Sequence, residues 1–79
     1  MYLHIYTLAK PVFFEEAQSV RLKTAVGELT ILDNHRPLIA PVEKGTITVV
    51  DKRGKESTFE TEGGTLEVRA GNEVNILAG

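Results

Sequence analysis

The sequence predicts an all-β fold, a β-sandwich or flattened barrel of about ten short strands. Three observations support this prediction. Apolar and polar residues alternate with period two along most of the chain, and the alternating runs are rich in β-branched residues. Glycine and proline interrupt these runs at short intervals, as in the tight turns that join strands. No segment carries a helical pattern of convincing length.

The first half of the chain contains three predicted strands. In YLHIYT, Leu3 and Ile5 share one face, and two tyrosines and a histidine share the other. Residues 13–18, FFEEAQ, are compatible with a helix, but they are few and have no capping residue, so we predict a strand with a bulge. In VRLKT, Val20 and Leu22 alternate with basic residues.

The second half repeats the pattern in TITVV, STFET, TLEVR and EVNIL. Residues 51–56, DKRGKE, predict a hairpin turn, and Gly63-Gly64 and residues 70–73, AGNE, predict two further reversals. Two prolines bracket LIA, which therefore predicts an edge strand or a short irregular piece. The alternation assigns the core to Leu3, Ile5, Val20, Leu22, Leu29, Ile31, Ile47, Val49, Phe59, Leu66, Val68, Val74 and Ile76.

Length, charge and cysteine content limit the possible functions. We expect one domain, residues 1–79, with no disulfide because cysteine is absent, and a domain this small often gains stability from a partner. The formal charge is −2 and no basic run occurs, so nucleic acid is not expected as a partner. Neither a membrane span nor a signal peptide is visible, which predicts a soluble, intracellular protein.

Catalytic patterns are poorly supported. His4 lies within a strand, and neither Ser19 nor Ser57 has the sharp turn that a nucleophilic serine needs. A metal site would have to combine both histidines, His4 and His35, with carboxylates, and we predict none. The glycines form no phosphate-binding loop, and no cofactor is expected. We predict a protein that is not an enzyme: a structural module or, alternatively, a small-ligand or carbohydrate-binding sandwich.

One polar stretch stands out, residues 27–38, GELTILDNHRPL. Glu28, Asp33 and His35 would suit acid–base chemistry or an interface with another protein. In its wider context this stretch resembles the epsilon subunit of bacterial and chloroplast F-type ATP synthases. The family pattern is G-E-L-G-I-L, then N-H-x-P-L and G-x-[IL]-x-V, and the matching residues are Gly27, Glu28, Leu29, Ile31, Leu32, Asn34, His35, Pro37, Leu38 and Gly45.

A second family signature supports the same register. G-G-[FI]-[LV]-E-V, followed by a turn and V-T-[IV]-L-A, matches Gly63, Gly64, Leu66, Glu67, Val68, Val74, Ile76, Leu77 and Ala78. Near the start, VFFEE stands where the family has V-F-x-G-E. The resemblance therefore spans the whole chain, and it points to the N-terminal β-sandwich domain of that subunit.

The resemblance implies a non-catalytic part of the rotor. In the family this domain lies at the foot of the central stalk, packs against the gamma subunit, rests on the polar loops of the membrane c-ring, and couples proton transport to ATP synthesis. It implies peripheral membrane association through the complex, on the cytoplasmic face of the bacterial plasma membrane or the stromal face of the thylakoid.

The resemblance also implies roles for single residues. Glu28 matches the acidic position that touches the c-ring, and His35 matches a histidine near gamma and the ring. Asp33, Asn34 and Arg36 share its loop. Gly27 would allow a turn with positive φ, and Pro37 would make the end of the loop rigid. Three further glycines are expected at structural loop positions: Gly45, Gly63 and Gly64.

The chain departs from the family at several positions. Thr30 replaces a glycine, Asp33 stands where proline is common, and Thr65 replaces an apolar residue. We expect a more regular strand at Thr30 and a weaker core or interface contact at Thr65. Typical members continue into a C-terminal helical hairpin that restrains ATP hydrolysis, and the matched segment, which ends at Gly79, lacks it.

Overall fold

The computed structural model describes residues 1–7 and 11–78, and the side chain of Pro11 is not considered. The described residues form eight strands and no helix, which confirms the all-β prediction. The strands are β1 (Tyr2–Tyr6), β2 (Pro11–Thr24), β3 (Gly27–Leu32), β4 (Leu38–Val42), β5 (Gly45–Asp51), β6 (Glu56–Thr61), β7 (Gly64–Arg69) and β8 (Glu73–Ala78). The number is lower than about ten, because two predicted short strands merge into the 14-residue β2.

The long strand β2 belongs to two sheets. Its first half pairs with β1, and its second half pairs with β3 on one edge and with β5 on the other. The first sheet runs from β2 through β1, β8 and β7 to β4, which returns to β2 at Val42 and Thr24. The second sheet has the order β3, β2, β5, β6. The closed path through the first sheet makes the fold a flattened barrel.

A β-bulge within β2 lets one strand serve both sheets. Ala17 is in register with Asp51 and Ser19 with Val50, so that Gln18 is the extra residue. The bulge shifts the alternation by one position, because Ala17 is buried before it and Val20 and Leu22 are buried after it. The predicted bulged strand is therefore confirmed.

The core lies between the two sheets. Eleven of the predicted core residues are buried, namely Leu3, Ile5, Val20, Leu22, Ile31, Ile47, Val49, Leu66, Val68, Val74 and Ile76. Leu29 and Phe59 are only partly buried and pack against this cluster, because β3 and β6 are the outermost strands of the second sheet. Three residues missing from the prediction, Met1, Ala17 and Val42, complete the core.

The predicted turns occur where expected. Residues 52–55 join β5 to β6, and the side chain of Asp51 accepts hydrogen bonds from the backbone N–H groups of Arg53 and Lys55, at 2.8 and 2.9 Å. Strand β4 pairs with β7 along its length and with β2 only at Val42, so the prediction of an edge strand is confirmed for most of β4. Pro41 fits there because an edge strand does not need every N–H.

Gly64 marks a very close approach of two strands. A Cβ atom added to Gly64 would lie 1.9 Å from the backbone oxygen of Leu77 in β8, and φ at Gly64 is +155°. Only glycine fits this position without a shift of β7 or β8.

Candidate functional site

The polar stretch 27–38 consists of β3 and the loop that follows it. The β2–β3 hairpin turn precedes β3 and is closed by Thr24, whose hydroxyl donates to the backbone oxygen of Gly27 at 3.0 Å and accepts the N–H of Val26 at 3.3 Å. Gly27 has φ of 119°, the positive value predicted for that corner. Val26 projects from the turn and is 97% exposed.

Glu28 lies just after this turn on an exposed position of β3. It is in register with Lys23, and its Oε2 is 4.0 Å from the Nε of Arg21. Because all three side chains are in water, their mutual attraction is weak, and the carboxylate remains available to a partner.

Loop 33–37 leaves the opposite end of β3. The carboxylate of Asp33 accepts hydrogen bonds from the α-ammonium group of Met1, from Nζ of Lys52 at 3.3 Å and from Nδ2 of Asn72 at 3.4 Å. The Asn34 N–H donates to Oδ1 of Asn72 at 2.7 Å. Asp33 therefore joins the chain start to the β5–β6 and β7–β8 turns.

The charge on Asp33 is stabilised by these contacts. The hydrogen bond from the Met1 ammonium, followed by that from Lys52, lowers the pKa of Asp33 from 3.8 to about 2. Asp33, which departs from the family pattern, therefore has hydrogen-bond donors within this chain and a structural role. This role was not predictable from the sequence, because the partners lie 19 to 39 residues away along the chain.

His35 has a different environment from the two acids. Its Nδ1–H donates to the backbone oxygen of Arg36 at 2.8 Å, and its backbone N–H donates to the oxygen of Leu32 at 3.3 Å. Within residues 1–7 and 11–78, no hydrogen bond or ion pair joins His35 to a carboxylate. Arg36 and Pro37 are exposed. The polar residues of the stretch therefore lie in two separate places, with Glu28 at one end of β3 and loop 33–37 at the other.

The remaining predicted structural positions, Gly45 and Gly63, lie where the backbone turns into a strand. Gly45 starts β5, and Gly63 lies before β7, where the hydroxyl of Thr61 donates to its oxygen at 2.7 Å. Thr30 is exposed within a regular β3, in agreement with the expectation for that position. Thr65 is also exposed, so it takes no part in the core.

Two open clefts lie on the described part of the surface. An open cleft of about 550 Å³ lies over residues 37–39 and 67–70, and a second of about 490 Å³ is lined by Glu15, Glu16 and residues 51–53. In the described part of the chain, no three His, Asp or Glu side chains are close enough to hold a metal ion. No helix among the described residues is long and apolar enough to cross a bilayer.

The aromatic residues divide between the core and the surface. Phe13 and Phe59 meet edge to face at 5.7 Å next to the core. Tyr2, His4 and Phe14 cluster on the outside of the first sheet, where the Tyr2 ring stands edge to face against both neighbours. This arrangement differs from the flat platform on which a sugar or a planar ligand would stack.

Fold and site together define a small β-sandwich domain that presents charged side chains at both ends of one strand. The chain belongs to the family of the ATP synthase delta/epsilon chain β-sandwich domain, whose model matches residues 1–79. It is 38% identical to the ATP synthase epsilon chain of Bordetella petrii over 74 residues, or 94% of this chain and 52% of that relative. It is 32% identical to the epsilon chain of Brevibacillus brevis over 78 residues, which is 99% of this chain and 58% of the relative.

Solved structures show the same fold. One is a chain of the Euglena gracilis mitochondrial ATP synthase complex OSCP/F1/c-ring, with a TM-score of 0.93 at 20% identity, covering 99% of this chain and 49% of that chain. Another is a chain from the Tetrahymena thermophila mitochondrial ATP synthase central stalk and c-ring, with a TM-score of 0.83 at 19% identity. The match covers 99% of this chain and 62% of that chain. The chain spans about half the length of the curated relatives it matches.

Proposed function

We propose that this chain is the β-sandwich part of an ATP synthase epsilon chain and acts as a non-catalytic rotor subunit. It docks the gamma subunit onto the c-ring and couples proton transport to ATP synthesis. The observation that carries this proposal is the family match over residues 1–79, together with relatives that are ATP synthase epsilon chains.

The placement of the polar stretch is compatible with a bridging role. Glu28 and Asp33 are five residues apart on an extended strand, a separation of about 16 Å at ~3.3 Å per residue. Two partners can therefore be engaged at once without competing for the same surface. We assign Glu28 to the c-ring side, where a carboxylate suits basic and amide groups, and we assign His35, with Asn34 and Arg36, to the vicinity of gamma and the ring.

The proposed location follows from these partners. The chain is associated peripherally with the membrane through the complex, on the cytoplasmic face of a bacterial plasma membrane, or on the stromal face of the thylakoid in a plastid.

Binding to the other rotor parts tests the proposal. The purified chain is mixed with the gamma subunit of the same source, and separately with the gamma–c-ring complex, and binding is measured by calorimetry and by co-elution in gel filtration. We expect a one-to-one complex with gamma and tighter retention when the c-ring is present. A chain that binds neither gamma nor the gamma–c-ring complex would refute the rotor assignment.

A further inference from the structure

The α-nitrogen of Met1 lies in a buried, polar environment beside the start of β1. It donates a hydrogen bond to the backbone oxygen of Ala17 at 2.9 Å, and the backbone N–H of Ala17 donates in return to the oxygen of Met1 at 2.9 Å. Met1 is only 2% exposed, and its side chain belongs to the core. Met1 therefore extends the contact between β1 and β2 up to the residue that precedes the bulge at Gln18.

A carboxylate is the second acceptor of this nitrogen. Oδ1 of Asp33 accepts a hydrogen bond from the Met1 ammonium, and the same carboxylate accepts hydrogen bonds from Lys52 and Asn72. The Met1 ammonium is also the largest cause of the lowered pKa of Asp33. Proline, which is common at this position in the family pattern, has no acceptor on its side chain. The contact therefore depends on the residue at which this chain departs from that pattern.

An acyl group on the α-nitrogen would break part of this arrangement. An ammonium group carries three N–H donors and a positive charge, whereas a formylated or acetylated nitrogen is an amide with one N–H and no charge. The remaining N–H would leave either the Ala17 oxygen or the Asp33 carboxylate without this donor, and hydrogen bonds to charged groups are the costlier ones to lose. The acyl group would also need space beside a residue that is almost fully buried.

We propose that this chain reaches its full stability only when the α-amino group of Met1 is free, so that N-terminal processing controls the formation of this cluster. A chain that starts with formylmethionine would need hydrolytic deformylation before the cluster forms. In that step water adds to the formyl carbonyl, the C–N bond breaks, formate leaves and the amine takes up a proton. Met1 itself has to be retained, because its side chain fills part of the core.

The same cluster holds the loop that carries predicted interface residues. The backbone N–H of Asn34 donates to Oδ1 of Asn72 at 2.7 Å, and Asn72 also donates to Asp33. Acylation of Met1 should therefore loosen loop 33–37 as well. The relevance of that loop to docking rests on the proposed function, whereas the effect on stability is a property of the chain alone and does not depend on any partner.

The test compares chemically synthesised chains of residues 1–79 that differ only at the α-nitrogen. The nitrogen is free, formylated or monomethylated, and each form is made with the wild-type sequence and with Asp33→Asn. The equilibrium constant of unfolding is measured in urea at pH 7. We expect formylation to raise this constant at least about tenfold in the wild type. In Asp33→Asn the rise should be at most about threefold, because the charged acceptor is already absent.

The methylated chain is the matched control for size. A methylated nitrogen keeps its positive charge and two N–H donors, so its unfolding constant should stay within about threefold of that of the free chain. Equal effects of the methyl and formyl groups would show that only bulk matters and would overturn the proposal. Formylation that acts equally in the wild type and in Asp33→Asn would overturn it too.

The mass of the intact protein isolated from its natural source gives a separate test. We expect a chain that starts at an unblocked Met1. A formyl or acetyl group on that residue, or a different first residue, would overturn the proposal. Each of these outcomes leaves the rotor assignment untouched, because that assignment is decided by binding to gamma and to gamma with the c-ring.

Discussion

Glu28 and Asp33 lie at opposite ends of β3, with four residues of extended strand between them. In the sequence they belong to one polar stretch, yet they share no contact. Glu28 lies beside the exposed Arg21 and Lys23, whereas the carboxylate of Asp33 accepts hydrogen bonds from the Met1 ammonium, Lys52 and Asn72. The stretch therefore combines an exposed, weakly paired carboxylate with a carboxylate that has a structural role.

This separation predicts additive effects on docking. Glu28→Gln and Arg36→Gln are made singly and together, and dissociation constants for the gamma–c-ring complex are measured at two salt concentrations. The ends of β3 are about 16 Å apart, beyond the screening length of ~8 Å at physiological salt. The loss of affinity in the double variant should therefore equal the product of the losses in the two single variants, to within about twofold. A double variant no weaker than the worse single variant would place both residues at one contact.

The contacts of Asp33 predict an acid-sensitive stability. The folded-state pKa of about 2 lies below the ordinary 3.8, so folding favours the ionised carboxyl. The contribution of Asp33 is fully present above about pH 4, and it disappears as the pH falls through about 2. In Asp33→Asn, the free energy of unfolding should be lower at pH 7 and should depend less on pH between 4 and 2.

The matched control for this experiment is Glu43→Gln, an exposed carboxylate for which the structure records no side-chain hydrogen bond or ion pair. Urea unfolding of the three proteins at pH 7, 4, 3 and 2 gives the comparison. Equal pH profiles for the wild type and Asp33→Asn would show that the Met1–Asp33 contact contributes nothing to folding.

The close approach at Gly64 predicts a severe effect of one methyl group. In Gly64→Ala, the new Cβ would meet the Leu77 oxygen at 1.9 Å, and the positive φ adds strain. We expect a loss of more than about 3 kcal/mol from the free energy of unfolding, combining overpacking with backbone strain. Gly54→Ala is the control, because φ there is also positive but the space is open, and about 1–2 kcal/mol is expected. Similar urea midpoints for the two variants would contradict this account.

The bulge in β2 predicts that one extra residue allows this strand to belong to both sheets. Deletion of Gln18 would give β2 one unbroken alternation, with Phe13, Ala17, Val20 and Leu22 still on one face, but it would remove the bend and the added twist of the bulge. We therefore expect a lower thermal midpoint for the deletion variant than for the wild type. Gln18→Ala keeps the bulge and loses only the exposed side-chain bond to the Asp51 oxygen, so it should unfold close to wild type. A deletion variant as stable as the wild type would contradict this account of the bulge.

The sequence by itself determined the strand class, most of the core and the main turns. Period-two alternation is a local property, and an inward position in YLHIYT or TLEVR needs no knowledge of distant partners. Residues 52–55 and Gly27 were predictable for the same reason, since turn chemistry acts over a few residues. The bulged strand was predicted because residues 13–18 are too few and too poorly capped for a helix, and the buried Ala17 beside the bulge was missed.

Only the tertiary structure determined the contacts that arise when separate segments of the chain pair. The burial of Met1 and the hydrogen bond between Asn72 and Asp33 involve segments far apart in the chain. The close approach that makes glycine necessary at position 64 depends on how β7 pairs with β8. The same holds for Nε2 of His4, which has no hydrogen-bond partner among the described residues and lies between Phe14 on one neighbouring strand and Asn75 on the other. Sequence alternation shows only that His4 points outward, and the register of β1 between β2 and β8 determines what it meets there.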